Sequence, residues 1–230
     1  MRMAIPHWKT AITKALEAHE KSTVIQLTSI DPSTPIPHVR CHVFRSWVSP
    51  DDDPSHPLLL STTDIRTPKT AQMIANPHVQ VAWWIEGTQE QFRIAGRAHI
   101  VPAPAHALHR HFMHPVSAVS PGAAAYDWEA KRVEVFRTMS AHMKAGWCRP
   151  VPGSRLEGGP DEAKKWPVRV EEPKDGDEEG RRNWETALGN FALVIVEPTD
   201  VDYLELEPVP NRRTRFWREN EVWKEEALVP

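Results

Sequence analysis

The chain lacks several features that define large classes of proteins. It has only two cysteines, Cys41 and Cys148, in 230 residues, so a disulfide-stapled secreted scaffold is not expected. No apolar run approaches the roughly 20 residues of a membrane helix, and the N-terminus lacks the apolar core of a signal peptide. Because 28 basic residues are balanced by 31 acidic ones, no global charge favours nucleic acid, and any anion site must be local.

The N-terminal segment is predicted to be part of the fold rather than a targeting signal. Met1 to Leu16 carries three basic residues and no acid, which faintly resembles a mitochondrial presequence. However, Pro6 followed by Trp8, Ile12 and Leu16 has helical spacing and predicts a first structural helix. We therefore expect a cytoplasmic protein, in preference to a mitochondrial one.

Short strand-like segments outnumber helical ones along the chain. Strands are predicted at 23–30, 38–48, 78–86, 89–101, 191–197, 201–207 and 214–219, with a short buried run at 58–60, and helices at 67–76, 103–114 and 128–143. Without any strand–helix–strand alternation, this order favours a closed antiparallel barrel of six or seven strands with flanking helices. We expect a single domain over 1–230, with a flexible insertion at the charged, apolar-poor residues 158–182.

A candidate phosphate site lies at Leu60 to Lys69 (LSTTDIRTPK), where a buried strand leads to Arg66 and to a helix N-terminus. Free backbone N–H groups and the positive end of the helix dipole favour an anion there. Hydroxyl donors are offered by Ser61, Thr62, Thr63 and Thr67. An ordinary Ser/Thr helix cap beside solvated Arg and Lys side chains accounts for the same residues. The motif alone therefore does not distinguish a phosphate site from a helix cap.

Two arginines occupy a strand whose other residues alternate in polarity. Arg40 and Arg45 lie in the strand predicted at 38–48, and an arginine that faces inward needs a partner, because an unpaired buried charge is costly. A bound phosphate would supply one. The alternative is an ion pair with an acid at the barrel surface.

Three segments resemble, in order and spacing, the FMN-binding segments of pyridoxamine 5'-phosphate oxidases. They are RCHVFR at 40–45, LSTTDIRTPKTAQMIANP at 60–77 and WWIEGTQEQFRIAGRAHIVP at 83–102. LGNFALVIVEPTDVDYLELEPVPNRRTRFW at 188–217 is similar to the C-terminal strands of that family. With AGWCRPVPG at 145–153, the chain resembles more narrowly a fungal and cyanobacterial-type branch of FMN-binding proteins.

The resemblance implies an FMN-binding split barrel that forms a homodimer and holds FMN at the dimer interface. In the resemblance, the FMN phosphate is bound by Arg40 and by a phosphate loop made of Arg66, Thr67 and Lys69. The flavin ring meets the backbone of Cys41, His42, Val43 and Phe44. Further flavin contacts match the strand residues Ser61, Thr62 and Thr63, whose register is ambiguous by one residue. Gln91 matches a glutamine contributed by the partner subunit, and Arg215 matches the arginine that closes the site.

The substrate side follows the family less well. Arg45 acceptably replaces a lysine, but Asn211 and Arg213 stand where the oxidases have an arginine and a histidine. The implied reaction passes a hydride from a small-molecule substrate to FMN, which oxygen reoxidises, and the catalytic residues stay unassigned. Alternatives are an FMN-dependent reductase, a non-catalytic flavin or haem binder, and a pure dimeric scaffold. No metal site, nucleic acid or membrane partner is expected.

Overall fold

The computed structural model describes residues 5–50, 53–116, 125–220 and 222–230, with the backbone alone for 113–116. Its strands are β1 (Val24–Ile30), β2 (Pro37–Val43), β3 (Ser46–Val48), β4 (Leu58–Asp64), β5 (His78–Ile85), β6 (Glu90–Val101), β7 (Phe191–Glu205), β8 (Arg212–Glu219) and β9 (Val222–Leu228). Its α-helices are α1 (His7–Ala18), α2 (Pro68–Ala75), α3 (His109–Val116), α4 (Trp128–Thr138), α5 (Ala141–Gly146), α6 (Pro160–Ala163) and α7 (Glu178–Asn190).

The strands form one curled antiparallel sheet. Its continuous path is β2-β1-β5-β6-β7-β4-β3, and β8 and β9 continue outward from β7. The chain itself joins the two ends of the path, because Phe44 and Arg45 connect β2 directly to β3. The backbone N–H of Phe44 donates to Thr23, and that of Arg45 donates to Leu60 of β4. The predicted split barrel, mainly β with flanking helices, is therefore confirmed, and its path has seven strands.

Alternating residues of the sheet build the inner core. The side chains of Ile25, Leu27, Trp83 and Phe92 are fully buried on the concave face, where α1 adds Trp8. A second cluster forms where α4, α5 and α7 cover the first half of β7 and the end of β6. Phe191 to Val196 are consequently buried on both faces, which explains their unbroken apolar sequence.

Several predicted boundaries are wrong. The strand predicted at 38–48 breaks at Phe44 and Arg45, and the helix predicted at 128–143 divides into α4 and α5. Residues 103–108 are turn rather than helix. The strands predicted at 191–197 and 201–207 are one strand, β7, and both β9 and α7 were missed.

Residues 158–182 lie outside the sheet, with α6 and the start of α7 as their helical parts. Val170 within this segment is buried, and its N–H donates to the carbonyl oxygen of Ala141. Its flexibility and the single-domain assignment stay predictions. Within the described ranges, no helix has the length and apolar character to cross a membrane.

Candidate functional site

A cleft opens at the seam where β2 meets β4 and the N-terminus of α2. Its volume is 240 Å³, and its walls include Cys41, His42, Val43, Arg45, Thr62, Thr63 and Lys69. The seam exists because β2 is one end of the sheet path and β4 lies next to the other end, β3, and the barrel's curvature brings the two strands together. The sequence-predicted segments 40–45 and 60–69 are thereby placed side by side.

The side chains of β2 face the opposite way from what their polarity suggests. The apolar residue Val39 is 65% exposed, whereas the polar residue His42 is 4% exposed. Arg40 shares the inner face with His42, and it donates to Ser29 Oγ at 2.6 Å and to Gln72 Oε1 at 3.2 Å. Both of these partners are neutral, so the charge of Arg40 is solvated by hydrogen bonds without being neutralised.

Lys69, in the first turn of α2, stands near Arg40. Burial lowers the pKa of Lys69, and the positive charge of Arg40 lowers it further, while Asp64 acts in the opposite direction. Burial also lowers the pKa of Arg40. Neither cation forms an ion pair with any acid whose side chain is described. Two partly buried cations that repel one another form a site for an anion.

His42 lies beside these cations and is held by the neighbouring strand. Ser61 Oγ donates to the carbonyl oxygen of Val43 at 2.9 Å and lies 3.2 Å from His42 Nδ1. Since the serine proton is used, Nδ1–H is the donor to Ser61, and Nε2 is left as a buried acceptor without a partner in the described chain. Burial, followed by Lys69 and Arg40, lowers the pKa of His42 to about 4. The imidazole is therefore neutral at pH 7.

Arg66 does not line this cleft. Its guanidinium donates to both carboxylate oxygens of Asp64, at 2.9 and 2.6 Å, and to the carbonyl oxygens of Trp147 and Arg149. It thus fastens the loop before α2 to the segment after α5. Thr67 is also engaged, because its hydroxyl donates to Asp64 O at 2.8 Å. The flavin roles predicted for Arg66 and Thr67 remain predictions.

The C-terminal candidates lie on the outer face of the sheet. Cross-strand pairing places Gln91 opposite Trp84 and Leu204, and Leu204 opposite Arg213. Arg213 donates to both oxygens of Asp202, at 2.9 and 2.8 Å. Arg215 pairs with Asp200 at 2.8 Å. These residues are absent from the lining of their own chain's cleft.

Asn211 and Arg45 complete the substrate-side candidates. In the orientation that satisfies its amide, Asn211 donates to the carbonyl oxygens of Leu206 and Pro208. Arg45 lines the cleft, and its Nε is buried without a partner among the described residues. Burial lowers the pKa of Arg45. Of the predicted substrate-side residues, Arg45 is thus the one adjacent to the phosphate-binding candidates.

Sequence reasoning missed several residues that shape the site. Gln72 and Ser29 hold the guanidinium of Arg40, and Asp64 holds that of Arg66. Met143 and Trp147 line the cleft from the far side. Gln72 sits one helical turn after Lys69, so helical spacing could have indicated a shared face. No local pattern points to Met143 or Trp147, because their position depends on how α5 packs.

Comparison with known proteins identifies the domain to which this cleft belongs. Residues 5–102 match the family model "Pyridoxamine 5'-phosphate oxidase, FMN-binding domain". This segment, which is somewhat less than half of the chain, is therefore similar to the FMN-binding domain of pyridoxamine 5'-phosphate oxidases. The predicted resemblance and the predicted cofactor, FMN, are thereby confirmed. The residues of the cleft that precede position 102 all fall within the match.

Other similar proteins align with nearly the whole chain, including the residues after position 102. "Pyridoxine/pyridoxamine 5'-phosphate oxidase 2" of Arabidopsis thaliana is 24% identical over 212 residues, which are 91% of this chain and 87% of the relative. A crystal structure of a pyridoxamine 5'-phosphate oxidase-related FMN-binding protein from Nostoc punctiforme has a TM-score of 0.73 at 24% identity, covering 99% of this chain and 100% of the other. PhzG from Burkholderia lata, in complex with tetrahydrophenazine-1-carboxylic acid, has a TM-score of 0.60 at 16% identity, covering 100% and 94%.

The residues of the cleft fit FMN. Lys69 in the lining and Arg40 beside it present positive charge with no carboxylate bound to it, as the phosphate requires. The acceptor Nε2 of His42 suits a hydroxyl donor of the ribityl chain. Backbone groups of Cys41 and Val43 are available at the cleft wall for a flat ring.

Proposed function

We propose that this chain is an FMN-dependent oxidoreductase that works as a homodimer on a small-molecule substrate. The observation that carries the proposal is the pair Arg40 and Lys69, two neighbouring, partly buried cations without a carboxylate partner among the described residues. Leaving such charges unneutralised destabilises a fold, and a bound phosphate offsets that cost. The name of the Arabidopsis relative supports the same class of reaction.

The chain's contribution in this proposal is to bind and orient the cofactor. Arg40 and Lys69 hold the phosphate, and Gln72 and Ser29 keep the guanidinium of Arg40 in place. His42 stays neutral and accepts a hydrogen bond at Nε2. When bound, FMN supplies a hydride acceptor whose electrons can pass to oxygen, and the protein sets its orientation and electrostatics.

The homodimer is proposed from the incompleteness of the single-chain site. Pockets that enclose small molecules measure about 300–1,000 Å³, whereas this cleft measures 240 Å³. The outer face of the sheet exposes Val39, Cys41 and Trp84 next to Gln91, and exposed apolar patches mark interaction surfaces. A second copy would cover this face and bring Gln91 to the other chain's cleft. Sedimentation equilibrium tests this, and a monomer that binds FMN fully would contradict it.

The substrate remains the open part of the proposal. Arg45 is the candidate for an anionic substrate group, since its Nε has no partner in the described chain. The charge of Arg213 is already paired with the carboxylate of Asp202, and both amide N–H groups of Asn211 are used on backbone carbonyls, so neither residue is well placed to bind a vitamin B6 phosphate. This observation favours a second candidate, an FMN-dependent reductase of another small molecule. Because Cys41 and Cys148 are both free thiols, a cytoplasmic location suits either activity.

The experiment separates the two candidates on one preparation. The protein is purified, its visible spectrum is recorded, and hydrogen peroxide release is measured with pyridoxine and pyridoxamine 5'-phosphates. Peroxide formation supports the oxidase. Bleaching of the flavin by NADH or NADPH without peroxide formation from either vitamer supports the reductase. A colourless protein whose melting temperature does not change with added FMN contradicts both.

A further inference from the structure

A second cavity lies away from the flavin cleft, between the C-terminal end of α2, the second half of β6 and the start of α3. Its volume is 280 Å³, and it shares no lining residue with the cleft. Its apolar wall includes Ile74, Leu108 and Phe112, and its polar lining consists of Arg97, His99, Arg110 and His111. No acidic residue is among the described residues that line it. We call it the α2–β6–α3 cavity.

His99 is the buried polar group of this cavity. It is 5% exposed, and neither ring nitrogen has a hydrogen-bond partner in the described part of the chain. The nearest charged atom, Glu197 Oε2, is 3.6 Å from Nε2, which is too long for a hydrogen bond. Glu197 is therefore within ion-pair distance of Nε2, whereas Nδ1 has no partner in the described part of the chain, and a buried nitrogen left unsatisfied is costly.

Glu197 does not neutralise the cavity. Its carboxylate is bound by Arg218 at 3.0 Å. Burial acts to raise the pKa of Glu197, but His99 and Arg218 outweigh it and leave the pKa below its usual value. Arg218, which does not line the cavity, thus binds this carboxylate, and neither Arg97 nor Arg110 is paired with it.

Arg97 and Arg110 make the rim of the cavity positive. Both are exposed, and neither forms an ion pair within the ranges that the structure describes. Arg110 Nε donates to His111 Nε2 at 3.4 Å, so this contact brings no negative charge to the guanidinium. Two guanidinium groups above an apolar wall, with an unsatisfied imidazole between them and the core, match an amphipathic anion.

We propose that the α2–β6–α3 cavity binds a small organic anion, with its carboxylate or phosphate at His99 and Arg97 and its apolar body against Ile74 and Leu108. The geometry that carries this is a buried imidazole whose Nδ1 has no partner in the described chain, in a cavity with a basic rim and no acid among its described lining residues. The site is separate from the flavin and does not depend on the proposed activity. It would allow a metabolite to bind without displacing the cofactor.

The test uses isothermal titration calorimetry on the FMN-loaded protein. The probes are benzoate and phenyl phosphate, with benzyl alcohol as a neutral probe of similar shape. We expect one of the two anions to saturate at one molecule per chain, and benzyl alcohol to show no saturable binding. Arg97→Gln should weaken the anion roughly tenfold or more, because a charge-assisted contact is lost. His99→Gln should weaken it as well.

The control is Arg181→Gln, which removes an exposed arginine of α7 far along the chain from the cavity. This variant should bind the anion with the affinity of the wild type. The visible spectrum of the flavin should also stay the same in every titration. Because Arg97 is exposed, its variant keeps the test valid even if His99→Gln fails to fold. The proposal is overturned if neither anion binds, if benzyl alcohol binds equally well, if Arg97→Gln retains full affinity, or if the anion displaces FMN.

Discussion

Two groups of cations in this molecule have opposite surroundings. Lys69 lines the cleft and Arg40 lies close to it, just outside the lining; Arg40 donates to the neutral side chains of Ser29 and Gln72, and neither cation is paired with a carboxylate among the described residues. On the outer strands, Arg213 is held by both oxygens of Asp202 and Arg215 by Asp200. The sequence alone does not distinguish Arg40 from Arg213 and Arg215. They differ in whether a carboxylate lies within ion-pair distance of the guanidinium.

The presence or absence of a paired carboxylate distinguishes cations that stabilise the fold from cations that can bind a ligand. A cation whose charge is already balanced stabilises the sheet edge by a modest amount and has little to offer a phosphate. A cation that is partly buried without an acid destabilises the ligand-free protein and gains most when an anion arrives. We therefore propose that Arg40 and Lys69 bind the phosphate, and we expect Arg213 to bind an anion only after Asp202 is removed.

The largest expected effect is on FMN affinity in the double variant Arg40→Gln, Lys69→Gln. Losing two charge-assisted contacts should weaken FMN binding roughly a thousandfold. The measurement is a titration that follows quenching of FMN fluorescence. Lys165→Gln is a matched control, since Lys165 is exposed and pairs with Glu162 at the surface; it should bind FMN like the wild type. An affinity loss below about fivefold in the double variant would contradict the assignment.

The next effect is a loss of stability in acid caused by His42. Its pKa in the folded protein is about 4, below the ordinary value of 6.5, so the unfolded chain binds a proton that the folded chain refuses. The stability contribution is complete above pH 6.5 and falls as the pH drops towards 4. For the FMN-free protein this amounts to about 2 to 3 kcal/mol between pH 7 and pH 4.5.

Urea unfolding of wild type and His42→Gln at both pH values measures this contribution. Taking the difference between the two proteins cancels the carboxylates that they share. The variant should lose less stability than the wild type over the same interval. If both lose the same amount, His42 is not held neutral by burial and by the neighbouring cations.

A smaller effect of opposite sign is expected from Lys69→Met in the protein without FMN. Removing a partly buried ammonium that repels Arg40 should raise the free energy of unfolding by about 1 kcal/mol, as measured by chemical denaturation. Added FMN should then stabilise this variant much less than the wild type. A ligand-free variant less stable than the wild type would show that Lys69 already has a stabilising partner.

The smallest stability effect is expected from Asp202→Asn. The asparagine keeps the size of the side chain but frees Arg213 and Arg93, which both contact Asp202. The melting temperature should fall slightly, because this is a partly exposed ion pair. Binding of pyridoxal 5'-phosphate to the FMN-loaded variant, followed by absorbance, should become tighter than in the wild type. Unchanged affinity would mean that Asp202 does not restrict Arg213.

Sequence patterns predicted the barrel and the segments of the cleft because they depend on local periodicity and on motifs that keep their spacing. The hairpin of β5 and β6 and the proline-initiated α2 appear where they were predicted. The break at Phe44 and Arg45 was not predictable locally, because it arises from closure of the barrel against β4. Polarity alone also misplaces β2, whose apolar Val39 faces outward while His42 faces inward.

The partners of the charged residues were the least predictable part of the site. Arg66 sits beside the helix N-terminus in the sequence, yet Asp64, two residues earlier, holds it through both carboxylate oxygens. Asp202 and Arg213 are brought together by the pairing of β7 with β8, a contact between strands that no short motif encodes. Which cation stays available for a ligand is therefore decided by tertiary structure.

Comparing the affinities of FMN and riboflavin for the same ligand-free protein tests the central claim most directly. The two ligands share the ring and the ribityl chain and differ in the phosphate that Arg40 and Lys69 are assigned to hold. We predict that FMN binds at least about a hundredfold more tightly than riboflavin, and that the ratio collapses in the double variant. Equal affinity for the two ligands in the wild type would contradict the account.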